Sequence, residues 1–241
     1  MKYILVLFSV FLYGQNVPLT VKISSIVAND SLPKRRIYSI NYQVENNTNH
    51  EVQFFLKPTS LIAQAASSLT LFTVYKMYRN GVFDAMDGPF YEKRYAEQDE
   101  IHDIHDQQAP QNKKFIAEVV DKINKIKKEY LENYRAKGGA STDEAWIYKN
   151  QSLLQTVITL QPHEVKNFTI TTSWWRNRYF KIEDNEFYLN ENDKFEMQLA
   201  LILNKSDRKE ALSEVEYSQI KNNPNFIEGT FLSNLAEISF N

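Results

Sequence analysis

Ile37-Tyr38-Ser39-Ile40-Asn41-Tyr42-Gln43-Val44-Glu45 alternates without a break, with Tyr38, Ile40, Tyr42 and Val44 on one side and Ser39, Asn41, Gln43 and Glu45 on the other. A backbone whose successive side chains point to opposite faces turns this pattern into a strand with one dry and one wet surface. Such a strand needs paired neighbours and a second layer over its apolar side, so the stretch sets the fold class as mainly β. Asn46-Asn47-Thr48-Asn49 follows, and asparagine tolerates left-handed backbone and bonds to its own turn. Residues 52–57 then resume an extended pattern, which predicts a hairpin with residues 37–45.

Further along, residues 69–78 read as another strand. Asn80-Gly81, the dipeptide favoured in type I′ turns, should fold residues 82–83 back on it. The pattern then changes. Residues 84–110 hold no sustained period and carry eight acidic against two basic side chains, whereas residues 111–137 carry eight basic against four acidic. In residues 112–137, Phe115, Ile116, Val119, Val120, Ile123, Ile126, Tyr130 and Tyr134 recur at spacings of three and four, the signature of a helix with one apolar side. Asn112 is placed to cap its start and Gly138-Gly139 to end it. A helix of this length should pack on the flank of the sheets or on a partner, with the acidic segment lying along its lysines.

Strands resume at residues 153–160, 166–173, 194–203 and 231–240, with a polar stretch at 204–228 in which Asn222-Asn223-Pro224 makes a turn. Seven to nine strands, broken once by a helical insertion at about residues 84–150, match the count and spacing of an immunoglobulin-like antiparallel β-sandwich. Residues 15–241 are therefore expected to form one such domain.

Ahead of it, Met1-Lys2 and the apolar run from Tyr3 to Tyr13, closed by Gly14 before Gln15-Asn16, have the layout of a secretory signal peptide occupying residues 1–14. The apolar run is shorter than the roughly 20 residues that span a bilayer. The chain has no cysteine, which excludes disulfides, thiolate metal sites and a cysteine nucleophile. Its 28 basic and 30 acidic residues leave a net charge of −2, without the positive field that nucleic-acid binding needs.

Leu160-Gln161-Pro162-His163-Glu164-Val165-Lys166-Asn167-Phe168-Thr169-Ile170 resembles the strand, Pro-Gly-Glu turn, strand corner of immunoglobulin-like domains in bacterial envelope proteins, with His163 where that family usually has glycine. Gly229-Thr230-Phe231-Leu232-Ser233-Asn234-Leu235-Ala236 is similar to their closing strand. The group includes fibronectin-type and intracellular-proteinase-inhibitor-like modules, and the likeness covers about residues 19–83 and 153–241. It implies a fold and carries no functional residue with it.

Two segments are dense in chemistry. In Glu97-Gln98-Asp99-Glu100-Ile101-His102-Asp103-Ile104-His105-Asp106, the residues His102, His105 and Asp106 are of the types that ligate zinc, manganese or iron. Their spacing lacks the two-histidine, one-glutamate hydrolytic signature, so a solvated acidic loop is the competing reading. In Trp174-Trp175-Arg176-Asn177-Arg178-Tyr179, continuation of the preceding strand puts Trp174 on the core side and Trp175 on the opposite face. Trp175, Arg176, Arg178 and Tyr179 have the composition of an interaction surface. No serine elbow or phosphate-binding glycine loop is present, and the chain holds only six glycines.

The expectation is a non-enzymatic exported binding or assembly module of a bacterial cell envelope. It would use no cofactor and face an envelope protein or surface polysaccharide, in the periplasm or at the cell surface. The alternative is a metal-binding protein or metal-dependent hydrolase built on His102 and His105; proteinase inhibition rests on the resemblance alone. Terminal sequencing of the exported protein should find Gln15 as its first residue, and a chain that retains Met1 would refute the cleavage.

Overall fold

The computed structural model describes residues 17–64, 71–86, 90–94, 110–178, 187–190 and 192–240. Twelve strands are described: β1 (Leu19–Leu32), β2 (Arg35–Asn46), β3 (Val52–Phe55), β4 (Lys57–Ala63), β5 (Phe72–Arg79), β6 (Val82–Asp84), β7 (Phe90–Arg94), β8 (Val157–Leu160), β9 (Val165–Arg178), β10 (Phe187–Tyr188), β11 (Phe195–Leu203) and β12 (Gly229–Ile238). The helices are α1 (Pro110–Ala136), α2 (Glu144–Leu154) and α3 (Glu214–Asn222), with a 3-10 turn at Ser206–Ala211. The protein is thus mainly β with a few helices. No helix among the described residues is long and apolar enough to cross a membrane.

One sheet runs β1-β2-β9-β7-β10 and a second runs β12-β11-β5-β4, with β6 folded back on β5. Both contribute to one hydrophobic core. The alternation in β2 holds as expected: Tyr38, Ile40, Tyr42 and Val44 are buried while the residues between them are not. In β11, Phe195, Met197, Leu199, Leu201 and Leu203 face the same interior from the other sheet. Asn80 and Gly81 both take positive φ, 51° and 78°, as a type I′ turn between β5 and β6 requires. At the corner before β9 the turn from Gln161 to Glu164 is closed by a 3.0 Å backbone hydrogen bond, and His163 at φ 58° adopts the left-handed conformation for which glycine is the usual residue.

The expected hairpin between β2 and β3 does not form. β3 pairs instead with β8 in a separate two-stranded sheet. Asn46 is the cause. Its fully buried amide donates to the carbonyls of His50 (2.8 Å), Gln161 (2.9 Å) and Leu160 (3.3 Å), while its oxygen accepts from the Thr48 amide and hydroxyl. These bonds clamp the chain leaving β2 onto the 160–161 corner and turn it away from its own strand.

Other boundaries also move. α1 starts two residues before Asn112, which lies inside the helix rather than at its cap. Its end is as expected: Gly138 at φ 79° donates to Arg135 and Gly139 donates to Tyr134, the Schellman pattern. Residues 153–154, read as strand, belong to the end of α2, whose start is capped by Asp143 on the Trp146 amide. The polar stretch 204–228 holds the 3-10 turn and α3, the latter opened by a Ser213/Glu216 capping box. β7, inside the 84–150 stretch, is a member of the five-stranded sheet and pairs in parallel with β9.

Nor does α1 lie on the sheets. Its C-terminal half packs on α2 through Tyr130 against Tyr148 (5.5 Å between ring centres) and Tyr134 against Trp146 (6.0 Å). α2 in turn is rooted by Leu153 in a second, smaller core with Phe55, Ala211, Leu212 and Phe226. The acidic segment expected to lie along α1 falls outside the described residues, as does the N-terminal stretch 1–16.

Asn46→Ala should cost about 2–4 kcal/mol in urea unfolding, because three carbonyls and a buried turn lose their partner together. A loss below about 0.5 kcal/mol would show that the clamp is dispensable.

Candidate binding surface

At the turn end of β2 the core face carries a charge. Arg36 follows the same parity as Tyr38 and Ile40, so its side chain points inward, where it is 1% exposed. Its Nε and Nη2 donate to the two oxygens of Asp30 on β1 at 2.6 and 3.1 Å. Nη1 lies 3.2 Å from Oε2 of Glu92 on β7, itself buried, and the Tyr38 hydroxyl donates to Glu92 Oε1 at 2.7 Å. Arg176 on β9 completes the set, 3.5 Å from Asp30 and 3.7 Å from Glu92. Four strands of the sheet are thereby tied by charge at one end. The guanidinium of Arg36 holds the Asp30 carboxyl below its usual range, while burial pushes Glu92 up and the Tyr38 hydroxyl up as well.

A cavity of about 310 Å³ opens against Glu92, walled by Phe195, Ile238 and Phe240 and rimmed by Asn190, Asn192, Lys194 and Glu237. Its charges are already matched within the wall. Glu92 is engaged as above, Lys194 bridges Glu196 (3.0 Å) and Glu237 (3.6 Å), and Asp193 accepts from Asn80 at 2.8 Å. The arrangement closes the end of the core with charges paired among the described residues.

The outer face of the same sheet is chemically distinct. The register places Leu32 beside Arg35, Arg35 beside Trp175, Trp175 beside Tyr91 and Tyr91 beside Tyr188, one residue from each of the five strands in a single row. The Arg35 guanidinium carbon stands 4.0 Å from the centre of the Trp175 ring, and Tyr91 stacks on Tyr188 at 5.7 Å and 27°. Beyond the row the face is small and mostly polar: Ile37 beside Ser173, Ser39 beside Thr171, Asn41 beside Thr169, Gln43 beside Asn167. Thr169 donates to Asn41 and Asn41 to Ser25, at 2.8 and 2.9 Å, so a hydrogen-bonded chain crosses three strands. Between Arg35 and Glu45 no charged side chain stands on the outward positions of β2.

Of the residues singled out from sequence, Trp175 is in this row. Trp174, as expected, faces the core, 4.0 Å from Phe90 and 4.5 Å from Tyr38 between ring centres. Arg176 points the opposite way from Trp175, into the charge network, so the two do not form one surface. Arg178 ends β9, where it pairs with Arg94. Tyr179 and the segment with His102, His105 and Asp106 lie outside the described residues. Among the described residues no three metal-ligating side chains converge. Arg35, Tyr91 and Tyr188 were not legible as partners of Trp175, because only strand register brings them together. Arg36 was: extending the β2 alternation back by two residues puts a cation on the core face, and a buried cation requires a carboxylate. Comparison of the chain with protein-family models, with curated proteins and with solved structures finds no match in any of the three.

Removing both members of the buried pair should cost less than the two single removals added together. Arg36→Met is expected to lose about 3–5 kcal/mol by leaving Glu92 buried against fewer cations. Arg36→Met/Glu92→Gln should be at least about 1 kcal/mol more stable than the sum of the single losses predicts. Additive losses in chemical denaturation would show that the two do not act as a pair.

Proposed function

We propose that this protein is a non-enzymatic, exported binding module of a bacterial cell envelope, and that its ligand face is the outer surface of the β1-β2-β9-β7-β10 sheet. The observation that carries this reading is the in-register row from Leu32 to Tyr188, set at one end of a face of mostly hydroxyl and amide side chains on β2 and β9 that Lys22 and Glu45 border at the other end. Solvated sheet faces ordinarily carry charge to stay soluble and apart from one another. Here the charged side chains, Lys22, Arg35, Glu45 and Lys93, stand at the ends of the face, and the stretch between them, with its hydrogen-bonding groups beside aromatic rings, suits a ligand that is itself rich in hydroxyls and has apolar C–H surfaces. A neutral surface polysaccharide meets that description.

The strand order supports an immunoglobulin-like sandwich as the scaffold. β1, β2 and β9 stand in the order of the first sheet of that fold, and β12, β11 and β5 in the order of the second, with sheet-switching connections between β2 and β5 and between β9 and β11. Relative to that plan, β7 and β10 extend the first sheet, and α1 and α2 occupy a connection between strands.

The test is affinity electrophoresis in gels cast with neutral polysaccharides. The wild-type chain should be retarded, and Trp175→Ala and Thr171→Lys should each weaken retardation at least about tenfold, a loss of about 1.4 kcal/mol. Equal retardation of wild type and both variants would overturn the assignment. So would specific capture by the row of an envelope protein, lost in Trp175→Ala, with no polysaccharide bound.

A further inference from the structure

Among the described residues, the apolar side of α1 is covered over part of its length. α2 takes the C-terminal half, where Tyr130, Tyr134 and Lys127 meet Tyr148 and Trp146. Over the first half the same stripe runs on uncovered: Phe115 is 65% exposed, Val120 47%, Ile116 and Ile123 40%, Val119 38%. Five large apolar side chains in a line on one helix face, continuous with an interface already made, form a docking surface rather than scattered exposure.

Charge selects the occupant. On a helix of 3.6 residues per turn, Lys113 sits one turn before Ile116 and two before Val120, bordering one edge of the stripe. Lys122, two turns after Phe115, borders the other. From residue 110 to 128 there are six lysines and two acidic residues. A second copy laid along this face would set lysines against lysines, which disfavours self-association. An apolar stripe edged by lysines on both sides matches a surface that is apolar below and anionic at its border.

We infer that the first half of α1 docks in the plane of an anionic lipid bilayer, with Phe115, Ile116, Val119, Val120 and Ile123 entering the acyl boundary and Lys113 and Lys122 meeting lipid phosphates. α2 holds the base of the helix to the domain, so the sheet domain is carried at the membrane surface without spanning it.

The experiment is sedimentation of the full chain with vesicles of phosphatidylcholine, pure or mixed equally with phosphatidylglycerol. The apolar N-terminal stretch is common to every variant, so only differences between variants are read. The wild type should partition at least tenfold more strongly onto the anionic vesicles. Val119→Asp/Ile123→Asp should lower that partition at least tenfold, as should Lys113→Gln/Lys122→Gln, with helical circular dichroism unchanged. Equal partition of the wild type and the Asp variant onto anionic vesicles overturns the inference. A concentration-dependent dimer abolished by the Asp substitutions, without vesicle binding, overturns it in favour of a second copy. Unaltered vesicle binding with reduced unfolding stability overturns it by placing the cover within this chain.

Discussion

A guanidinium with almost no access to water must be answered by carboxylates, and Arg36 is answered from two sides. Asp30 takes it in a two-bond fork from β1, and Glu92 faces it from β7, with Arg176 of β9 balancing both. The network determines more than its own corner. β7 is a five-residue strand that joins β9 in parallel, the weaker mode of pairing, and two inward side chains anchor it. Phe90 packs in the core on Trp174, and Glu92 joins the charge network, so together they fix its position and register. That register sets Tyr91 beside Trp175 and Tyr188 beside Tyr91, so the outer row depends on these two side chains of the inner face.

Much of the scaffold can be read from the chain, and the limits of that reading are physical. Period-2 alternation in β2 and β11 survives because each faces one continuous apolar interior; the type I′ turn at Asn80-Gly81 and the Schellman end of α1 survive because they are local. What escapes is decided at a distance. Asn46 looks like ordinary turn chemistry until the carbonyls it serves turn out to be those of residues 160 and 161. Trp175, Tyr91 and Tyr188 become neighbours by strand register alone. Two helix starts are marked locally: Asp143 before Glu144 opens a second helix within the stretch expected to be a helical insertion, and Ser213 three residues before Glu216 opens one in the polar stretch 204–228.

The two candidate surfaces differ in chemistry because their supports differ. The sheet face is set by backbone ladders on either side of β9, and most of its side chains on β2 and β9 beyond the aromatic row are polar. Among the described residues, α1 is held at its base, where aromatic contacts join it to α2 and the smaller core joins α2 to the rest of the chain. A laddered sheet face fits a repetitive ligand; a projecting helix edged by lysines fits a soft, charged boundary.

The pairing of β2 with β9 also orders events in time. Ile40 lies against Ile170, so the edge of the β1/β2 hairpin stays open until most of the chain has been made. From Arg35 to Glu45 that edge is alternating and aggregation-prone, and α1 and α2 lie between it and its mate. Local hairpins and helices should form early and the central ladder last, making closure of β9 onto β2 the slow step. Synthesis halted before residue 165 would leave a ready template for intermolecular strand addition.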